Sequence, residues 1–128
     1  MTSRPARSIA LWGAPVALMV VIFALSAMPS DSDHHSLVVL ILRKLAHFGE
    51  YALLLALWLR ALRSRLSLEW ALGLAYALTV SYAASDEYHQ TFVSGRVGTW
   101  RDVLIDAAGA LAVALVIRGV AGRARQPA

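Results

Sequence analysis

The sequence predicts an all-α integral membrane protein, a four-helix bundle with its N- and C-termini on the cytoplasmic side. Three observations predict it. Hydrophobic residues make up 59% of the 128-residue chain and charged residues only 16%, with a mean hydropathy of +0.60, more apolar than a soluble domain of this length usually is. The apolar residues fall into four runs, at about 9–28, 37–62, 68–90 and 100–118. At 1.5 Å per residue, each approaches or exceeds the thickness of a hydrocarbon core of roughly 30 Å. The arginines and lysines crowd alternate connections between these runs, the bias that sets membrane orientation.

The length fits a single unit over residues 1–128. The absence of cysteine excludes disulfides, thiolate nucleophiles and thiolate metal sites. A net charge of +4 and a pI near 10.1 would suggest nucleic acid in a soluble domain. Here the excess is arginine flanking apolar segments, so membrane topology accounts for it and no nucleic-acid partner is expected.

The first run, Ile9 to Met28, follows Arg4 and Arg7. Ala24-Leu25-Ser26 has small residues at a spacing suited to signal cleavage, but the run exceeds the roughly 7 to 15 residues of a signal h-region and reads as a retained crossing. Pro29 to Ser36 is a polar loop with Asp31, Asp33, His34 and His35. Adjacent loop histidines point in different directions, so the pair reads as solvated and not metal-binding.

The second run, Leu37 to Leu62, carries Arg43, Lys44, His47 and Glu50 in its first half. At 100° per residue Lys44, His47 and Tyr51 share a face, with Glu50 about 120° from Lys44. A charge at mid-bilayer costs roughly 2.5 to 3.5 kcal/mol on insertion scales, so such groups need partners, water or an interfacial depth. Arg43 is read as snorkelling at the helix end, and Lys44, His47 and Glu50 as an inward-facing polar cluster.

Arg60, Arg63 and Arg65 make the next loop basic. Ser67 is expected to cap the third helix, and Glu69 suits the positive end of its dipole. Gly73, Ala77 and Ala84 are expected to allow close helix contact. Tyr82, Asp86 and His89 share a face by helical spacing. Gly95 and Gly98 mark a turn from which Arg96 can reach back to the helix ends. Trp100 suits a membrane interface. Asp102 and Asp106 lie on one face, which Gly109 continues as a close-packing position.

Charge then sets the topology. Arg4, Arg7, Arg60, Arg63, Arg65, Arg118, Arg123 and Arg125, less Glu69, leave +7 on the side expected to be cytoplasmic. Arg43, Lys44, Arg96 and Arg101 against Asp31, Asp33, Glu50, Asp86, Glu87, Asp102 and Asp106 leave −3 on the other. Ends of three helices thus bring Lys44, His47, Glu50, Asp86, Glu87, His89, Arg96, Arg101, Asp102 and Asp106 to one extracytoplasmic level.

KLAHFGEYALL at Lys44 to Leu54, with DEYHQTFVSGRVGTWRDVLIDAAGAL at Asp86 to Leu111, resembles the VanZ-like family of bacterial membrane proteins. The pattern is K-x-x-H-F-x-E-Y on one helix, then D-E-x-x-Q-x-F-x-x-x-R and D-x-x-x-D-x-x-G. The resemblance covers most of the chain, and by it Lys44, His47, Glu50, Asp86, Glu87, Gln90, Arg96, Asp102 and Asp106 are the family's characteristic polar positions. It implies a multi-pass protein of the cell envelope. The family takes its name from a protein associated with teicoplanin resistance, which links the chain to glycopeptide resistance but implies no biochemical activity.

The residues themselves limit the chemistry. Asp86, Glu87, Asp102 and Asp106 offer oxygen ligands for Mg²⁺ or Ca²⁺, and His47 and His89 would extend the choice to Zn²⁺ or Mn²⁺. No H-E-x-x-H or comparably compact ligand motif occurs, so neither metal nor cofactor is expected. Lys44, Arg96 and Arg101 suit an anion, arginine offering phosphate a bidentate fork. The leading expectation is an extracytoplasmic pocket in which Lys44, Glu50, Glu87, Gln90, Arg96, Arg101, Asp102 and Asp106 bind a membrane lipid or polyprenyl-phosphate headgroup. In an enzymatic alternative, His47 or His89 serves as nucleophile or general acid on a lipid phosphate, with Asp86 orienting the imidazole. In a structural alternative the same groups pair into bridges that lock the bundle. With no broken-helix pair, a transporter is disfavoured. The oligomeric state is open.

Overall fold

The computed structural model describes residues 4–30 and 36–124. The Asp31, Asp33, His34 and His35 stretch, read as a solvated loop, lies outside the described residues. Four helices and no strand make up the rest: α1 (Arg4–Ser26), α2 (Leu37–Leu62), α3 (Leu68–Gln90) and α4 (Trp100–Arg123). α1 begins at Arg4, before the first apolar run, and stops at Ser26. α4 runs on past Arg118 to Arg123: the segment has no proline, and Gly119 and Gly122 weaken the helix without ending it while the hydropathy falls.

The helices run up and down, so the end of α1, the start of α2, the end of α3 and the start of α4 meet at one end of the bundle. α2 and α4 are parallel and make the most extensive contact, while α1 packs against α2 and α3 only. Ser36 caps α2 by accepting from the Val39 amide, and Thr99 caps α4 by accepting from the Asp102 amide. Ser67 occupies the expected N-cap position of α3 but makes no side-chain cap bond.

Two apolar clusters fill the interior. Leu55, Leu59 and Leu62 of α2, Ala71, Leu72 and Ala75 of α3 and Ala110 of α4 form the one nearer the chain termini. Ile22, Tyr51, Leu54 and Ala83 form the one nearer the polar end. α1 supplies Ile22 and Ser26, both buried, so it is an integral part of the bundle. The small-residue stripe of α3 differs from the expected one. Gly73, Ala77 and Ala84 are exposed, and the buried contact line is Ala71, Ala75, Thr79 and Ala83. A rotation of roughly 160 to 200° about the helix axis separates the two lines at helical spacing, and the polar groups at Asp86, Glu87 and Gln90 extend the buried one.

Outside these clusters the surface is apolar. Val20 and Phe23 on α1, Leu42 and Leu45 on α2, Trp70 and Leu74 on α3 and Leu104, Leu115 and Val116 on α4 are all exposed. A water-soluble monomer rarely shows apolar area on this scale, whereas lipid solvates it. α1 and α4 are each long and apolar enough to cross a membrane, and only 11% and 17% of their most apolar windows are buried, unlike the core helix of a soluble protein. α2 and α3 are as long but fall outside that criterion; α2 carries Arg43, Lys44, His47 and Glu50, and α3 carries Asp86 to Gln90. Of four expected crossings, two therefore qualify on composition alone. The polar groups of α2 and α3 are turned inward or placed at the bundle end, where neighbouring helices share the cost.

Candidate functional site

The polar end is held together first by Asp86. This α3 carboxylate, 2% exposed, accepts from Ser26 Oγ of α1 at 2.5 Å, from Tyr51 OH of α2 at 3.3 Å and from Gln90 Nε2 one turn along at 3.0 Å. One acid thereby joins three helices. Glu87, beside it, accepts from the Thr99 amide at 3.1 Å and from Gln90 Nε2 at 3.4 Å, which ties the end of α3 to the start of α4.

The parallel α2–α4 pair adds two rungs. Lys44 Nζ pairs with Asp102 Oδ1, and His47 Nδ1 lies 3.5 Å from Asp106 Oδ1. Spacings of three on α2 and four on α4 keep both rungs on the facing sides. Thr99 Oγ1 also donates to Asp102 Oδ2 at 2.9 Å. One turn beyond, a Cβ on Gly109 would collide with the Phe48 backbone carbonyl, so the backbones approach here as only glycine permits.

The connection between α3 and α4 closes the end. Arg96 Nε donates to the Met28 carbonyl and Arg96 Nη2 to the Leu25 carbonyl, each at 2.9 Å, satisfying carbonyls at the C-terminal end of α1 with a cation that suits its dipole. Burial and the nearby Arg43 guanidinium lower the Arg96 pKa, and an arginine remains charged throughout. Gly95 has φ +73° and lies against the Ser30 carbonyl, a conformation and a contact that a side chain would not tolerate.

Between these elements is a cavity of about 510 Å³. α2 contributes Leu40, Arg43, Lys44 and His47 to its wall, and α3 contributes Glu87 and Gln90. The connecting loop adds Gly95, Arg96 and Val97, and α4 adds Asp102, Ile105 and Asp106. Arg43, read from the sequence as snorkelling, is half-buried in this wall and donates to Ser30 Oγ at 3.0 Å. A smaller cavity of about 150 Å³ lies between α1 and α2, where Glu50 faces Ser26 and Arg96, and His47 borders both spaces.

Of the site residues expected from sequence, Lys44, His47, Glu87, Gln90, Arg96, Asp102 and Asp106 share the larger cavity, and Glu50 lines the smaller one. Asp86 is buried behind them in its hydrogen-bond cluster. His89 packs its ring against Phe23 of α1, with centroids 4.5 Å apart, outside both cavities. Arg101 lies over the exposed Trp100 ring at 5.7 Å, also outside. Trp100, Tyr88 and Phe92 are all exposed at this level, as residues of a membrane–water boundary tend to be. Ser26, Arg43 and Thr99 were not among the expected site residues. Thr99 had a signal, the T-x-x-D pattern of a helix start; a serine at a helix end has none.

The match to a family model settles membership: residues 5–121 match the VanZ/LLP1 model. The chain belongs to the VanZ/LLP1 family. No curated protein and no solved structure matches it. With two helices long and apolar enough to cross a bilayer, this is a VanZ-like membrane protein.

Proposed function

We propose that this VanZ-like chain is a multi-pass protein of the bacterial cytoplasmic membrane that binds the headgroup of an anionic lipid or polyprenyl phosphate in a cavity open to the outer face. The observation that carries this is the pocket itself, with Arg43, Lys44 and Arg96 on its walls at the level of exposed Tyr88, Phe92 and Trp100. A phosphate-bearing headgroup would meet those basic groups set among Glu87, Asp102 and Asp106 while its acyl or prenyl chain stayed in lipid. Reduced susceptibility to teicoplanin is the cellular phenotype proposed to accompany that binding.

The test is native mass spectrometry of the purified chain with phosphatidylglycerol, undecaprenyl phosphate or phosphatidylcholine. The anionic lipids are expected to be retained and phosphatidylcholine lost, with Arg96→Ala weakening retention at least tenfold, the scale of one charge-assisted contact. Equal retention of all three lipids would sink the reading. Orientation has its own check. A C-terminal green fluorescent protein fusion is expected to fluoresce and a C-terminal alkaline phosphatase fusion to be inactive, as for a cytoplasmic terminus.

A second reading, an enzyme acting on a lipid phosphate, draws on His47, which borders the cavity with Asp106 at 3.5 Å. His89 and Asp86 border neither cavity, so the dyad would be His47 with Asp106. Phosphate release that is lost in His47→Gln while lipid binding persists would favour it.

A further inference from the structure

We propose that the floor of the larger cavity is a divalent-cation site formed by His47, Glu87 and Asp106. The proposal uses the headgroup reading only for the anion such an ion would face; the site itself stands on geometry. Asp106 is 1% exposed and lines the cavity, yet among the described residues its carboxylate oxygens find no hydrogen-bond donor at ordinary distance, the long rung to His47 being its one polar contact. Its neighbour His47 Nδ1, at 3.5 Å, is likewise buried and unpartnered, and that separation is too long for a hydrogen bond of ordinary strength. Buried polar atoms are rarely left in this state, and an ion is one standard resolution.

The third member completes the set. One ligand atom from each of His47, Glu87 and Asp106 lies within 4.8 Å of the others, and the three come from α2, α3 and α4. An ion with bonds of roughly 2.1 Å holds neighbouring ligands about 3.0 to 3.4 Å apart, so the His47–Asp106 spacing is close to that of a ligand pair and Glu87 needs only a small shift. Glu87 is already oriented by the Thr99 amide and Gln90 Nε2, as outer-shell donors orient a ligating carboxylate. A proton on His47 would satisfy one oxygen of Asp106 and leave the other, whereas an ion engages all three residues.

Charge points the same way. The cavity walls carry Arg43, Lys44 and Arg96 against Glu87, Asp102 and Asp106, with no formal excess to draw a phosphate in. A bound divalent ion supplies that excess. One nitrogen and two oxygen donors without thiolate suit Zn²⁺ or Mn²⁺. Three protein ligands leave a coordination position facing the cavity for water or a phosphate oxygen.

The experiment is isothermal titration of the full chain in detergent, stripped with chelator and free of added lipid, with ZnCl₂ and MnCl₂. One ion per chain is expected, with affinity at least tenfold lower in His47→Gln and Glu87→Gln. Zn²⁺ should raise the thermal midpoint of the wild type and not of these variants, which separates lost ligation from lost folding. Asp106→Asn supplies the third arm where it folds, and otherwise the first two variants decide. A stripped wild type that takes up no ion overturns the proposal. So does uptake of equal affinity in both variants, which would assign the ion elsewhere, as at His34 and His35. Lipid retention is read separately. Ion uptake without anionic-lipid binding refutes the headgroup reading alone, and lipid binding with no ion uptake refutes the cation site alone.

Discussion

Asp86→Ala is expected to destabilise the folded bundle by roughly 3 to 5 kcal/mol, measured as the loss of unfolding free energy in detergent. The carboxylate is buried and accepts from Ser26, Tyr51 and Gln90. Deleting it leaves the Tyr51 hydroxyl without an acceptor and Ser26 and Gln90 with only their second acceptors, the Phe23 carbonyl and Glu87. Three bonds to a buried charge go, each worth about 1.5 to 3 kcal/mol, and the remaining acceptors and water trim the sum. Ser26→Ala removes one donor and leaves Asp86 two others, so its expected cost is about 1 kcal/mol, near the mean for a single interhelical bond in a membrane bundle. The ratio is the test. If Asp86→Ala costs no more than Ser26→Ala, the three-helix junction is not what holds this end together.

The second large effect is expected at Gly109. Its missing side chain lets α4 reach the Phe48 carbonyl of α2, and backbone cannot move aside as a side-chain tip can. Gly109→Ala is expected to cost about 1 to 3 kcal/mol by overpacking, and Gly109→Leu to prevent recovery of folded protein. Because the same approach sets the His47–Asp106 and Lys44–Asp102 rungs about one and two turns above, any Gly109→Ala protein that folds should also lose lipid retention. Gly119 and Gly122 on the same helix face open space, and alanine there is expected to leave the unfolding midpoint unchanged or raise it slightly, since alanine is the better helix former. Equal effects at Gly109 and Gly119 would show that close contact at Phe48 is unimportant.

Gly109 also shows how far the sequence could be read. Its position seven and three residues along from Asp102 and Asp106 marked a packing face, and the structure puts it against Phe48 of α2. On α3, the same search for small residues chose Gly73, Ala77 and Ala84, which are exposed, over Ala71, Ala75 and Ala83, which are buried. α3 is rich in alanine, so small size there does not discriminate one face from another. On α4 the adjacent aspartates did.

Four helices, with the start of α1 and the end of α4 at one end of the bundle and most of the acids at the other, were legible before any packing was known. Hydropathy and charge are properties of each segment alone, and alternation along a bundle of short connections leaves few arrangements. Which acid each base or donor meets came from packing between helices. Asp86 and His89 share a helix face, as their spacing requires, but that face packs on α1, so Asp86 binds Ser26 and His89 rests on Phe23. Asp106, from another helix, is the acid at His47. Arg101, next to Asp102 in sequence, turns out to Trp100 while Asp102 turns in to Lys44. Neighbours on a helix point about 100° apart, and which of them enters a cavity is set by the rotation of each helix against the others, a quantity that packing alone supplies.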